Sequence, residues 1–164
     1  MEINFTNYDK FILDNFKTLS NKIKIISGKT LSAESFKQVF GSSDAKLAKH
    51  CIYIWRTETK IPRVKGESNI IYIGKTNYSL KGRHYSSSEL KASSVANKQK
   101  YNDIVNRYGP ISIHYYSPDK FTPHNSSELL RIEGQFLWWY FQNHSEYPPI
   151  NYTKTKIRNN IVKI

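Results

Sequence analysis

The chain has 164 residues, enough for one compact domain with a small appendage and too few for two large ones. Its 25 Lys and Arg outweigh 13 Asp and Glu, a formal net charge of +12, which favours a polyanionic partner because neutralising phosphates releases condensed counterions. The single cysteine, Cys51, excludes an intramolecular disulfide framework and any multi-cysteine zinc site.

The N-terminal stretch M-E-I-N-F-T-N-Y-D has no basic region followed by an apolar one, so it does not read as a signal peptide. No apolar run approaches the roughly 20 residues of a membrane span, and no basic amphipathic helix with a clean apolar face stands out. The expectation is a soluble, cytoplasmic protein that meets nucleic acid and no membrane. Twelve tyrosines supply faces that can stack on bases or pack in a core.

Residues 1–48 read as a helical N-terminal extension. Tyr8, Phe11, Ile12, Phe16 and Leu19 recur at helical spacing after a cap at Thr6 or Asn7. A second helix opens near Ser32 and carries Phe36, Val39 and Phe40 to Gly41. Cys51–Arg56 is a strand with Ile52 and Ile54 on one face and Tyr53 and Trp55 on the other. Thr57–Ser68 reads as an exposed hairpin loop, and Ile70–Ile73 as the antiparallel neighbour of the first strand. Gly74 ends that strand. Asn77 and Ser79 are candidate caps for a helix opening at Leu80.

His84–Ser94 reads as loop or weak helix, and Asn97–Tyr108 as a helix stopped by Gly109. Ile111–Tyr116 is a third strand. A last helix runs from about Ser126 to Gln142 behind a capping box at Asn125-Ser126-Ser127-Glu128. It is apolar on most sides and is expected to be largely buried. Lys154–Ile164 is a basic tail.

Glu133 is the odd residue of the last helix, flanked at helical spacing by Leu129, Leu130, Phe136 and Leu137. A carboxylate on an apolar face needs a cation, whether Arg83, a lysine or a metal. The stretch from Tyr72 to Arg83 brings a tyrosine, Lys75 and Arg83 to one corner, a combination suited to a phosphate, although a plain strand-turn-helix connection with surface charges has the same composition.

The ordered set C-I-Y at 51–53, Y-I-G at 72–74, Lys75, Arg83, Glu133 and Asn151 resembles the GIY-YIG nuclease family over residues 49–153. It is most similar to the family's restriction-endonuclease branch, since the chain has no room for the separate DNA-binding region of homing endonucleases. Cys51 stands where the family has its first glycine. The resemblance implies an α+β fold: a small three-stranded antiparallel sheet flanked by helices, with the helical extension at 1–48, the catalytic domain at 49–153 and the tail at 154–164.

It also implies hydrolysis of phosphodiester bonds in double-stranded DNA with one Mg2+, for which Mn2+ can substitute. Glu133 would be the metal ligand and Arg83 the phosphate clamp. Tyr53 is favoured as the base that activates water, with Tyr72 positioning water and phosphate, or the reverse. Lys75 would lower the tyrosine pKa, and Asn151 would hold the site together. His84 is a candidate to assist the base or contact DNA, while His50 and His114 read as structural or surface residues. Lys98, Lys100, Arg107, Lys154, Lys156, Arg158 and Lys163 are candidate phosphate contacts. One site cuts one strand, so a double-strand break implies a homodimer or successive nicking.

Overall fold

The computed structural model describes residues 7–118 and 126–151. Two short elements come first, helix α1 (Tyr8–Asn15) and strand β1 (Lys17–Thr18), followed by α2 (Ala33–Phe40) and α3 (Ser43–Leu47). A long hairpin of β2 (Lys49–Pro62) and β3 (Glu67–Ser79) leads into α4 (Leu80–His84), α5 (Ser88–Ser93) and α6 (Val95–Tyr108). Strand β4 (Ile111–Tyr116), helix α7 (Ser126–His144) and a 3-10 turn (Pro149–Asn151) complete the described chain.

The sheet is antiparallel, in the order β1-β4-β2-β3. It therefore has four strands where the sequence suggests three. The extra one comes from the N-terminal region, whose helix stops at Asn15 short of the expected Leu19. Beyond it the chain turns extended. Phe16 stacks on Tyr116 at 5.8 Å, and Lys17 and Thr18 pair with Tyr115 and His114. Edge pairing on β4 outcompetes another helical turn because it satisfies backbone groups the edge strand would otherwise leave to solvent. His114 fastens the same seam, with its ring nitrogens 2.9 Å from Thr18 Oγ1 and 2.8 Å from Ser112 Oγ.

The expected loop at Thr57–Ser68 is mostly strand. Ile61 pairs with Ser68 and Pro62 with Glu67 across a turn containing Gly66 at φ 69°. Burial of Thr57 and Ile61 explains why the charged surroundings do not open a loop there. α5 gives the weakly helical stretch one definite turn.

Alternation along β2 sorts the core into two layers. Ile52 and Ile54, with Ile70 and Ile73 of β3, pack under Leu129, Ile132, Phe136 and Tyr140 of α7. Tyr53 and Trp55 pack on the other face with Phe36 and Phe40 of α2 and Tyr101 and Ile104 of α6. Cys51 is buried, and burial pushes its thiol up to about 12. α7 is less buried than its composition suggests: Leu130 is 58 % and Trp138 57 % exposed. Three rows of apolar residues exceed what one helix face can bury on a sheet. The capping box at Asn125 and the tail beyond Asn151 lie outside the described residues. No described helix is long and apolar enough to cross a membrane.

Candidate active site

β3 is one of the sheet's two outer strands, so side chains from both of its faces can reach around one edge. Alternate residues of an edge strand also aim their N–H and C=O groups outward. Asn151 answers one such pair: its Oδ1 accepts from Ile73 N at 2.9 Å and its Nδ2 donates to Ile73 O at 2.7 Å. The amide stands in for one residue of a missing neighbour strand. Two residues on, the N–H of Lys75 faces the carboxylate of Glu133 from α7.

Helix α4 begins where β3 ends, capped by Ser79 through a 2.9 Å bond from Gly82 N. Asn77, the other capping candidate, does not cap. α4 brings Arg83 back over the strand it has just left. A cavity of about 350 Å³ results, lined by Tyr72, Lys75, Thr76, Asn77, Tyr78, Arg83 and Glu133. α7 and Tyr72 occupy opposite faces of the sheet, yet they share this space because the strand between them has no outer neighbour.

Glu133 is half-buried and forms no ion pair shorter than 4 Å among the described residues, although Lys75 and Arg83 share its cavity. Burial raises its carboxyl pKa, while the charges of Lys75 and Arg83 and the Lys75 N–H pull it back. In the same cavity Asn77 Oδ1 is buried without a partner. An undercompensated carboxylate and an amide oxygen, on two residues that line one cavity, are a donor set that fits a hard divalent cation. No cluster of three or more His, Cys, Asp or Glu occurs among the described residues.

Tyr53 lies beneath this cavity and lines neither it nor the neighbouring one. It is fully buried, with its ring 5.7 Å from Tyr72 and 5.0 Å from His84. Burial drives its phenol well above the ordinary value, the neighbouring Tyr72 adds to this, and Arg83 opposes it. No hydrogen bond of good geometry closes on its hydroxyl among the described residues. Gly74 makes room for the ring: a Cβ there would stand 2.7 Å from the Tyr53 hydroxyl. Gly74→Ala should therefore cost about 1–3 kcal/mol by overpacking, read as a lower midpoint in urea unfolding. An unchanged midpoint would mean that the ring has space to move.

His84 is caged by Phe40 at 4.7 Å, Tyr53 and Trp55. Burial first, then the charges of Lys91 and Arg83, hold its imidazole well below its usual pKa, so it stays neutral. Among the basic candidates, Lys98 and Arg107 are exposed on α6 and Lys100 is half-buried. Arg107 lies seven residues beyond Lys100, about 10 Å farther along the helix axis. Lys154, Lys156, Arg158 and Lys163 fall outside the described residues. Sequence reasoning missed Asn77 as an acceptor in the cavity. Its local pattern reads as a cap, and only the fold turns its amide inward.

A second cavity, of about 440 Å³, opens on the other side of Tyr72 and Arg83 and is also lined by Trp55, His84, Lys91, Lys100 and Tyr101. No family model matches the chain, and no curated protein matches it. Among solved structures it is similar to the restriction endonuclease HPY188I in complex with product DNA, at 15% sequence identity and a TM-score of 0.37, covering 94% of this chain and 88% of that one.

Proposed function

We propose that the chain is a divalent-metal-dependent DNA endonuclease of the GIY-YIG type, acting as a site-specific restriction enzyme. One observation carries the reading: a carboxylate and a guanidinium from distant parts of the sequence, Glu133 and Arg83, line one cavity with Tyr72 and Lys75 at the free edge of β3. The net charge of +12 supports a phosphate-backbone partner.

Glu133 would hold the cation, with Asn77 Oδ1 as a second oxygen beside it. When bound, that ion supplies Lewis acidity toward a phosphate oxygen. Arg83 is exposed and carries a planar fork that fits two phosphate oxygens, which positions the scissile group and offsets the charge that builds on it. Tyr72 is half-buried and lines the cavity, and in this reading its hydroxyl would orient the attacking water. Tyr53 supports it from beneath, an order opposite to the one favoured from sequence, because a buried phenol with a raised pKa is a poor proton acceptor. Lys75 adds positive charge at the same wall. Asn151 bonds both backbone groups of Ile73 and would hold in place the strand that carries Tyr72 and Lys75.

Asn77→Ala should raise the Mg2+ concentration needed for half-maximal cleavage by roughly tenfold, the order of effect of losing a supporting oxygen, with the rate at saturating Mg2+ little changed. An unaltered Mg2+ requirement would remove Asn77 from the ion's surroundings. Incubating plasmid with the protein and Mg2+, then sequencing the ends, tests the restriction reading. Discrete fragments with a common end sequence are expected. A smear, or cutting confined to branched DNA, would replace it with a nonspecific or structure-selective nuclease. A double-strand break at each site requires two copies of the chain or two successive nicks.

A further inference from the structure

The larger cavity takes no part in the scheme above, although it shares Tyr72 and Arg83 with the first. Its volume of about 440 Å³ falls in the range of small-molecule sites. Two features distinguish it from a gap in packing. Trp55 is 1% and His84 6% exposed, yet Trp55 Nε1 and His84 Nε2 have no hydrogen-bond partner among the described residues. Buried polar atoms are almost always paired, and both residues that carry these orphans line the cavity.

Charge is the second feature. Arg83, Lys91 and Lys100 all line the cavity, and no carboxylate among the described residues does. Burial and the neighbouring Arg83 charge bring Lys91 down to about 8, the response of a cation crowded without an anion. These groups define what fits. An indole N–H only donates, so Trp55 must meet an acceptor. Lys91 and Lys100 call for an anion, and the half-buried Tyr72 beside them for a flat ring. Acceptor, anion and flat ring in one molecule of this size describe a nucleotide.

We propose that this cavity receives one nucleotide of the substrate strand, turned out of the stack beside the scissile phosphate. Its base rests on the aromatic wall and its far phosphate on Lys91 and Lys100. The inference rests on the nuclease reading, because Arg83 at the shared wall is what joins the two phosphates. Unstacking a base is least costly at mismatched or single-stranded positions, so the cavity also favours distorted DNA.

The test is a titration of deoxythymidine 3′,5′-bisphosphate into nitrogen-15-labelled protein without metal, with inorganic phosphate as the comparison. The indole N–H signals are read, Trp55 being assigned with Trp55→Phe. The bisphosphate should move the Trp55 signal and leave those of Trp138 and Trp139 in place, and phosphate alone should not. Lys91→Ala should weaken the bisphosphate by about tenfold, and Lys100→Ala provides the same readout should the first variant misfold. An unmoved Trp55 signal, an equal shift with inorganic phosphate, or full affinity in both variants would overturn the proposal. Plasmid cleavage by the same preparation separates the two readings. Cutting without a Trp55 response removes the nucleotide subsite alone, and a Trp55 response without Mg2+-dependent cutting removes the nuclease.

Discussion

Glu133→Gln is expected to lower Mg2+-dependent plasmid cleavage by at least about a hundredfold, the scale of losing one charge-stabilising group, while DNA affinity persists. The substitution keeps shape and removes the charge that would hold the ion. A second consequence is opposite in sign. The carboxyl of Glu133 is raised by burial and only partly relieved by Lys75 and Arg83. A group whose folded-state pKa is raised contributes stability below its unfolded pKa and loses it as pH rises through the folded value. At neutral pH without metal, the variant should therefore melt higher than the wild type, with the difference disappearing in acid. Mg2+ should raise the melting temperature of the wild type alone, since only that form binds it. Cleavage should fall as pH drops through the raised pKa, because a protonated carboxyl releases the cation. A variant that melts no higher than wild type, or that gains equally from Mg2+, would place the ion elsewhere.

The second large effect is expected on stability. Asn151→Ala removes both hydrogen bonds to Ile73, a residue with no exposure. An N–H and a C=O are left on an edge strand covered by the 3-10 turn, and each unsatisfied buried group costs about 1–3 kcal/mol. Water will recover part of this at the half-buried amide's place, so about 2–4 kcal/mol is expected in total. Urea unfolding should show a lower midpoint with an unchanged slope. Cleavage should fall as well at temperatures where the protein stays folded, because the same strand carries Tyr72 and Lys75 into the cavity. Asn151→Asp should not rescue it, since a carboxylate cannot donate to Ile73 O. A fully stable Asn151→Ala would show that the strand edge is held by other contacts.

Local pattern made much of this legible. The alternation of Ile52, Tyr53, Ile54 and Trp55 assigns the two faces of β2 correctly, and Gly109 marks the end of α6 with φ 86°. Glu133 stands out as a lone carboxylate among apolar neighbours, and its place in the cavity accords with that. β1 was not legible, because two residues carry no period and Lys17-Thr18 gains its strand character only from the open edge of β4. The burial of Tyr53 was not legible either. Its depth is set by α2, α6 and the absence of a side chain at Gly74, none of which lies beside it in sequence. Asn77 and Lys91 share this property: the first reads as a cap and the second as a surface lysine until the fold sets each beside a cavity.

Supercoiled plasmid incubated with the purified chain, in Mg2+ and in excess chelator, tests the central claim most directly. Nicked and linear products are expected with Mg2+, none with chelator, and none with either Glu133→Gln or Arg83→Ala at wild-type exposure times. Plasmid left intact by folded, DNA-binding wild-type protein in Mg2+ or Mn2+ would contradict it.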